Sequence, residues 1–151
     1  MRIERSIDEQ MIRSIVSHAE IKPHIWEGEG EPEVPMHESV YYLLGIEDVA
    51  VGVVAFVPMN PVTWMPHIAA LPGREGRGSE LLRLATQWMF KNTPCRKAFA
   101  ALPAFNARVI RVFEKCDFRL EGVSPKSFEW HGHLHGQLLM GKECDGNMAA
   151  R

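Results

Sequence analysis

At 151 residues with a formal net charge of −2, the chain is long enough to bury a two- or three-layer core without disulfide or metal staples. Its 17 basic and 19 acidic residues are mixed, with no basic stripe, which excludes a phosphate-backbone footprint and nucleic acid as an expected partner. Cys95, Cys116 and Cys144 are odd in number and share no metal-ligand spacing, so free thiols in a reducing, cytoplasmic compartment are expected. No apolar run approaches the roughly 18 to 20 residues of a membrane span, and MRIERSIDEQ lacks the apolar core of a signal peptide.

MRIERSI reads as a short first strand, after which Asp8 and Glu9 mark the start of an amphipathic helix with Met11, Ile12, Ile15, Val16 and Ala19 at helical spacing. EGEGEPEVPMHE, between Trp26 and Ser39, is rich in Glu, Gly and Pro and reads as an exposed loop. SVYYLLGI and VAVGVVAFV then flank a polar turn at Glu47 and Asp48 and predict an antiparallel hairpin, with VTWMPHIAAL as the next strand. A helix from about Gly78 to Lys91 places Leu81, Leu84, Ala85, Trp88 and Met89 in one stripe, and Pro94 stops it. KAFAALPA is a buried-type strand, and Asn106 caps a second helix, ARVIRVFEK, so strand, helix, strand, helix makes a crossover unit. FRLEGV, SFEW and QLLMGK supply two more strands separated by HGHLHG. No repeat or linker divides the chain, so residues 1–144 are expected to form a single mixed α+β domain, with 145–151 a frayed tail.

The chemistry concentrates in GREGRGSELL, residues 73–82, between a strand and a helix. Gly73, Gly76 and Gly78 permit backbone conformations closed to residues with a Cβ, letting several N–H groups converge on one anion. The helix N-terminus adds its own donors and dipole, and Arg74 and Arg77 supply mobile charge. Glycines used only for a tight turn are the other reading of these residues. No Lys-Ser or Lys-Thr pair follows the last glycine, as a Walker turn requires, and the antiparallel run before it speaks against a dinucleotide fingerprint.

GREGRGSELL resembles the pyrophosphate-binding signature of the GNAT superfamily of acyl-CoA N-acyltransferases, Q/R-x-x-G-x-G/A ahead of paired leucines. Gly76, Arg77 and Gly78 match its core, while Gly73 stands where Gln or Arg is usual. About 28 residues on, NARVIRVFEKCDF resembles the family's N-x-x-S/A-x-R-V-x-E-K-x-G-F segment. Asn106, Arg111, Val112, Glu114, Lys115 and Phe118 match, and Asp117 replaces the glycine. The pair is most similar to the branch that acetylates ribosomal proteins and other protein N-termini, and to short acetyltransferase-like proteins of tailed phages.

The resemblance implies an α+β fold whose central mixed, mostly antiparallel sheet splays between strands 4 and 5 and is flanked by helices. It also implies acetyl-CoA as co-substrate. The backbone around Ile68, Ala69 and Ala70 would bond the pantetheine arm in the opening. Residues Gly73, Arg74, Glu75, Gly76, Arg77, Gly78 and Ser79 would hold the pyrophosphate, with Asn106 and Arg111 as further cofactor contacts. Direct transfer to an amine needs a base, and His67, on the strand bordering the thioester, is the candidate, its ordinary pKa of about 6.5 being suited to the task. Packing within WMPHIAAL is the alternative role for that histidine. Many relatives place a tyrosine acid where this chain has Phe113. Tyr42 and Glu121 are further ionisable groups for which structural roles are expected, and Cys116 reads as core packing rather than a nucleophile.

His131, His133 and His135 alternate, but with Gly132 and Gly136 interleaved and no cysteine nearby a polar hairpin is expected and no metal. The expected acceptor is a protein N-terminus, a lysine or a small amine, and the protein is expected to be a monomer or homodimer. The alternative reading, resting on Phe113 and Gly73, is a GNAT-like fold kept as a binding or structural component, for instance of a phage particle.

Overall fold

The computed structural model describes residues 1–27, 29–73 and 76–145. In chain order the elements are β1 (Arg2–Ser6), α1 (Glu9–Val16), α2 (Lys22–Ile25), β2 (Tyr41–Ile46), β3 (Ala50–Pro58), β4 (Thr63–Ala70), α3 (Arg77–Asn92), β5 (Lys97–Pro103), α4 (Ala107–Lys115), β6 (Arg119–Trp130) and β7 (His133–Glu143). The strands form one seven-stranded sheet in the order β1-β2-β3-β4-β5-β7-β6. Every pairing is antiparallel except β4 with β5. The mixed, splayed α+β sheet expected from the sequence is therefore the fold observed.

Strand alternation puts two cores on the two faces of this sheet. Leu43, Val54, Phe56, Trp64, Ala98, Ala100, Leu102 and Met140 point one way and meet α3 and α4 through Leu81, Leu82, Ala85, Met89 and Phe113. Tyr42, Leu44, Val53 and Ala69 point the other way and meet Ile12 and Ile15 of α1 together with Ile21 and Val34. Asp8 starts α1 by accepting from the Met11 N–H at 3.1 Å, the cap that its position predicted.

The α3 stripe differs from the expected one. Leu82, Thr86 and Phe90 are buried, whereas Leu84 and Trp88 are only partly covered. A helix pressed onto a twisted sheet buries a broader arc than a single heptad-like stripe, and Thr86 joins it because its hydroxyl donates to the Leu82 carbonyl at 2.7 Å.

Two glycines in register set how closely α3 approaches. Gly45 of β2 pairs with Gly52 of β3, and Leu81 fills the hollow above both. A Cβ on Gly45 would lie 2.6 Å from Leu81 Cδ1, and one on Gly52 would lie 2.7 Å from Leu81 Cδ2 and 2.7 Å from the Ala69 carbonyl oxygen.

α4 ends in a Schellman motif: the Phe118 N–H donates to the Phe113 carbonyl and the Asp117 N–H to the Glu114 carbonyl, both at 3.1 Å. The accompanying apolar contact is the edge-on pair Phe113 and Phe118, centroids 4.9 Å apart. Asp117 occupies the left-handed position at φ 65°, which a side chain disfavours. Asp117→Gly is expected to stabilise the fold by about 1 kcal/mol, measured as a higher urea midpoint at unchanged slope; a lower midpoint would show that the carboxylate contributes more than the strain costs.

Two local expectations are corrected. The segment HGHLHG is not a connection, because only His131 and Gly132 turn, both at positive φ (50° and 76°) as a two-residue hairpin requires, while His133 and His135 belong to β7. The loop before β2 is fastened rather than solvated throughout: Val34 is buried and the Tyr42 hydroxyl donates to the Pro35 carbonyl at 2.9 Å. Between α1 and that loop lies α2, a single turn with Pro23 near its start, where a missing N–H costs nothing. The expected tail from Asp145 lies almost wholly outside the described residues.

Candidate functional site

The opening in the sheet follows from hydrogen-bond parity. β4 and β5 pair only at Thr63 with Lys97 and Trp64 with Ala98 and then part, although β4 stays bonded to β3 as far as Ala70. The Leu71 N–H donates to the Val51 carbonyl and the Met59 N–H to the Thr63 carbonyl, so odd-numbered β4 residues direct their main-chain groups at β3. The Val62 carbonyl accepts from the Lys97 N–H, so even-numbered ones face β5. Beyond Trp64 those are Pro66, Ile68 and Ala70. Ile68 and Ala70 thus present amide groups to the gap, and Pro66 interrupts no ladder because its nitrogen lies on that same side. Ala69 differs: its main chain serves β3 and its side chain the α1-face core.

At the wide end of the gap lies the start of α3. Gly76 caps the helix at φ 76° without any side-chain cap bond, and Gly73 sits at φ 90°. The first helical bond runs from the Glu80 N–H to the Gly76 carbonyl, so the N–H groups of Arg77, Gly78 and Ser79 have no acceptor in the helix. Those donors and the positive end of the helix dipole are suited to receive an anion. Gly78 contributes openness rather than strain, since a Cβ there would come no nearer than 3.8 Å to Val112. Ser79 is anchored from below, its carbonyl accepting from Cys116 Sγ at 3.1 Å.

The Arg77 side chain turns away from these donors. Its Nε lies 2.8 Å from Glu47 Oε1 and its Nη1 2.7 Å from Glu80 Oε2, so its guanidinium joins the β2–β3 turn to α3 and only its backbone N–H is offered to an anion. Arg74 and Glu75 lie outside the described residues. Asn106 caps α4 by accepting from the Val109 N–H at 3.2 Å and stands half-buried where β5 ends. Arg111 is exposed on α4.

His67 projects from β4 on the α1 face, in one row with Ala55 and Tyr42 on the neighbouring strands. Its side chain keeps contact with water, has no hydrogen-bond partner among the described residues, and is crowded enough that desolvation lowers its pKa below the ordinary value. Tyr42 is unsuited to proton transfer: it is buried, its hydroxyl is engaged by Pro35, and burial raises its pKa. Glu121 is tied to Lys97 at 2.6 Å. Phe113 lies in the core, and Cys116 is buried with its thiol pKa raised by desolvation, as core roles require. Among the described residues no three His, Cys, Asp or Glu side chains gather as a metal site, and no helix is long and apolar enough to cross a membrane.

A model of the acetyltransferase (GNAT) family matches residues 10–118, and the chain belongs to that family, whose members are N-acetyltransferases that use acetyl-CoA. No curated protein matches the chain. Among solved structures, spermidine N-acetyltransferase from Vibrio cholerae, in complex with CoA and spermine, is similar with a TM-score of 0.76 at 16% identity over 94% of both chains. Ribosomal-protein-S5-alanine acetyltransferase from Vibrio fischeri is similar with a TM-score of 0.73 at 15% identity, over 95% of this chain and 93% of that one. At such identities the likeness is one of fold.

Proposed function

We infer that this protein is an acetyl-CoA-dependent N-acetyltransferase acting by direct attack of an amine, with no covalent enzyme intermediate. The observation that carries the reading is the parting of β4 from β5 with the Ile68 and Ala70 main chains turned into the gap. A pantetheine arm lying there would add as a short strand, and its pyrophosphate would reach the free N–H groups of Arg77, Gly78 and Ser79 beside Gly73 and Gly76. Asn106 would border the arm from the start of α4.

On the α1 face, the acceptor amine attacks the thioester carbonyl while neutral His67 takes the proton that the nitrogen loses. The carbon–sulfur bond breaks as the carbon–nitrogen bond forms, and water protonates the departing thiolate, since Phe113 has no proton to give. The acceptor is an amine of a protein N-terminus, a lysine or a small molecule, and the motif likeness favours the branch that acetylates ribosomal-protein N-termini. Three cysteines without a disulfide support a reducing, cytoplasmic setting.

Acetyl-CoA is expected to raise the melting temperature in a concentration-dependent way, by about 2.7 kcal/mol of added stability at a hundredfold excess over Kd. No shift at millimolar acetyl-CoA would sink the enzyme reading and leave a GNAT-like binding or structural protein. Thiol release with a panel of amines and peptides then tests transfer.

A further inference from the structure

Four rings from three separate stretches of chain meet at the far end of the α1 face. Phe105 lies 6.1 Å from Phe128, 6.5 Å from Trp130 and 4.6 Å from His135, and Phe128 lies 5.9 Å from Trp130. The rings of Phe128 and Trp130 are inclined by only 20° and those of Phe105 and Trp130 by 30°, so Trp130 stacks with both, while Phe105 tilts by 44° to Phe128 and meets His135 at 63°.

The register puts this stack on the same side of the sheet as His67. Paired residues share a face: Thr63 with Lys97, Ala101 with Leu139, Pro103 with Gln137, and His135 with Phe128. Alternation along β4, β5 and β7 carries that face from His67 through Ala101 and Leu139 to His135. Phe105 precedes Asn106, so the stack begins where α4 meets the gap.

A packed core would have buried these rings, yet Phe105 is 48% exposed, and Phe128 and Trp130 are only partly covered. At the rim stands a carboxylate: Glu27 accepts from the His131 N–H and lies 3.4 Å from His131 Nδ1, while the His131 ring lies 4.9 Å from that of Trp130. Glu27 is the glutamate of its segment that lies at the shelf, since Glu31 pairs with Lys22 at 3.5 Å and Glu38 accepts through its carbonyl from Arg5 of β1. An apolar shelf with an acidic rim complements a molecule that is flat and apolar over one part and cationic beside it.

Resting on the acetyltransferase reading above, we propose that Phe105, Phe128 and Trp130 form an acceptor-recognition shelf that selects primary amines carrying an aromatic ring, as an arylalkylamine or an aromatic residue at a peptide N-terminus. The ring of the acceptor stacks on the exposed side of Phe105 and Trp130, and its amine lies toward His67 along the shared face. Phe105 and Trp130 are then specificity residues without a part in proton transfer.

The test compares phenethylamine with n-butylamine, and a peptide beginning in phenylalanine with its alanine counterpart, using acetyl-CoA-saturated protein. The aromatic member of at least one pair is expected to have a roughly tenfold lower KM, the size of effect an aromatic contact supplies; which pair responds tells a small-molecule acceptor from a peptide. Phe105→Ala should remove that preference, with kcat changed less than twofold and the acetyl-CoA thermal shift intact, and Phe105→Tyr should retain it. Equal KM values within both pairs, or a preference that survives in both Phe105→Ala and Trp130→Ala, would overturn the shelf. If no amine is acetylated, calorimetric binding of the same ligands to the CoA-bound protein decides: preferential binding lost in Phe105→Ala keeps the shelf while the transfer reading fails, and no preference ends both.

Discussion

His67→Ala is expected to slow acetyl transfer by about 10²-fold or more while leaving acetyl-CoA affinity unchanged. An amine attacks a thioester only through its lone pair, so the proton it sheds needs an acceptor beside the reacting nitrogen. Tyr42 is held by Pro35, Glu121 by Lys97 and Cys116 by the core, whereas His67 reaches solvent on the α1 face with no hydrogen-bond partner among the described residues. Desolvation lowers its pKa, which favours the neutral imidazole that can take a proton.

The sign of the pH dependence follows. Activity falls as pH drops through the His67 pKa, placing the acid limb of kcat/KM below about 6.5, and His67→Ala should abolish that limb. Stability moves in the same direction. Because the folded pKa lies below the unfolded one, the unfolded chain binds more protons between the two, so stability present above the unfolded value is lost as pH falls toward the folded one. Turnover unchanged in His67→Ala, with its acid limb intact, would remove His67 as the base.

The second large effect is predicted far from any reacting atom. Gly52→Ala is expected to destabilise the protein by roughly 1–3 kcal/mol and to weaken acetyl-CoA binding, read by urea unfolding and calorimetry. Its Cβ would meet the Ala69 carbonyl oxygen at 2.7 Å and Ala70 Cα at 3.0 Å, and backbone atoms of a paired strand cannot step aside as a side chain can. Relief would come from moving β4 or lifting α3, which shifts the start of α3 relative to Ile68 and Ala70. Gly45→Ala should be milder, because its new Cβ meets the ends of the Leu81 and Met1 side chains. In a Leu81→Ala background the further cost of Gly45→Ala should largely vanish. A Gly52→Ala protein with unaltered urea midpoint would show that the sheet yields there.

Much of this architecture was legible along the chain. Helix α4 and its Asn106 cap, the β2–β3 hairpin and the strand-to-helix glycine turn all rest on local signals, such as apolar period, capping residue and positive-φ glycine, and local signals are what a sequence displays. Pro66 also carried information that its context explains: a proline inside an apolar strand marks a side with no ladder bond to lose, and that side faces the gap.

What the sequence hid depends on contacts between distant residues. The insertion of β7 between β5 and β6 is fixed by pairing energies across the sheet. The capture of the Arg77 guanidinium by Glu47 and Glu80 needs the β2–β3 turn to lie beside α3, so the turn's arginine reads as free charge until the fold is known. Val34 is buried between two prolines in a stretch of glutamates, where one apolar residue sets up no period to detect. The aromatic shelf was equally invisible, since Phe105, Phe128, Trp130 and His135 become neighbours only through the β5-β7-β6 order.

Strand β6 forms one edge of the sheet, and its pairing with β7 slips between Leu120 and Gly122 and again between Ser124 and Phe128. The second of these holds Pro125, which has no N–H, and Lys126 at φ 49°. An edge interrupted in this way offers another chain short runs instead of one long template. The interruptions are therefore a guard against strand-to-strand aggregation, and they require that any subunit adding at this edge do so through one of these short runs.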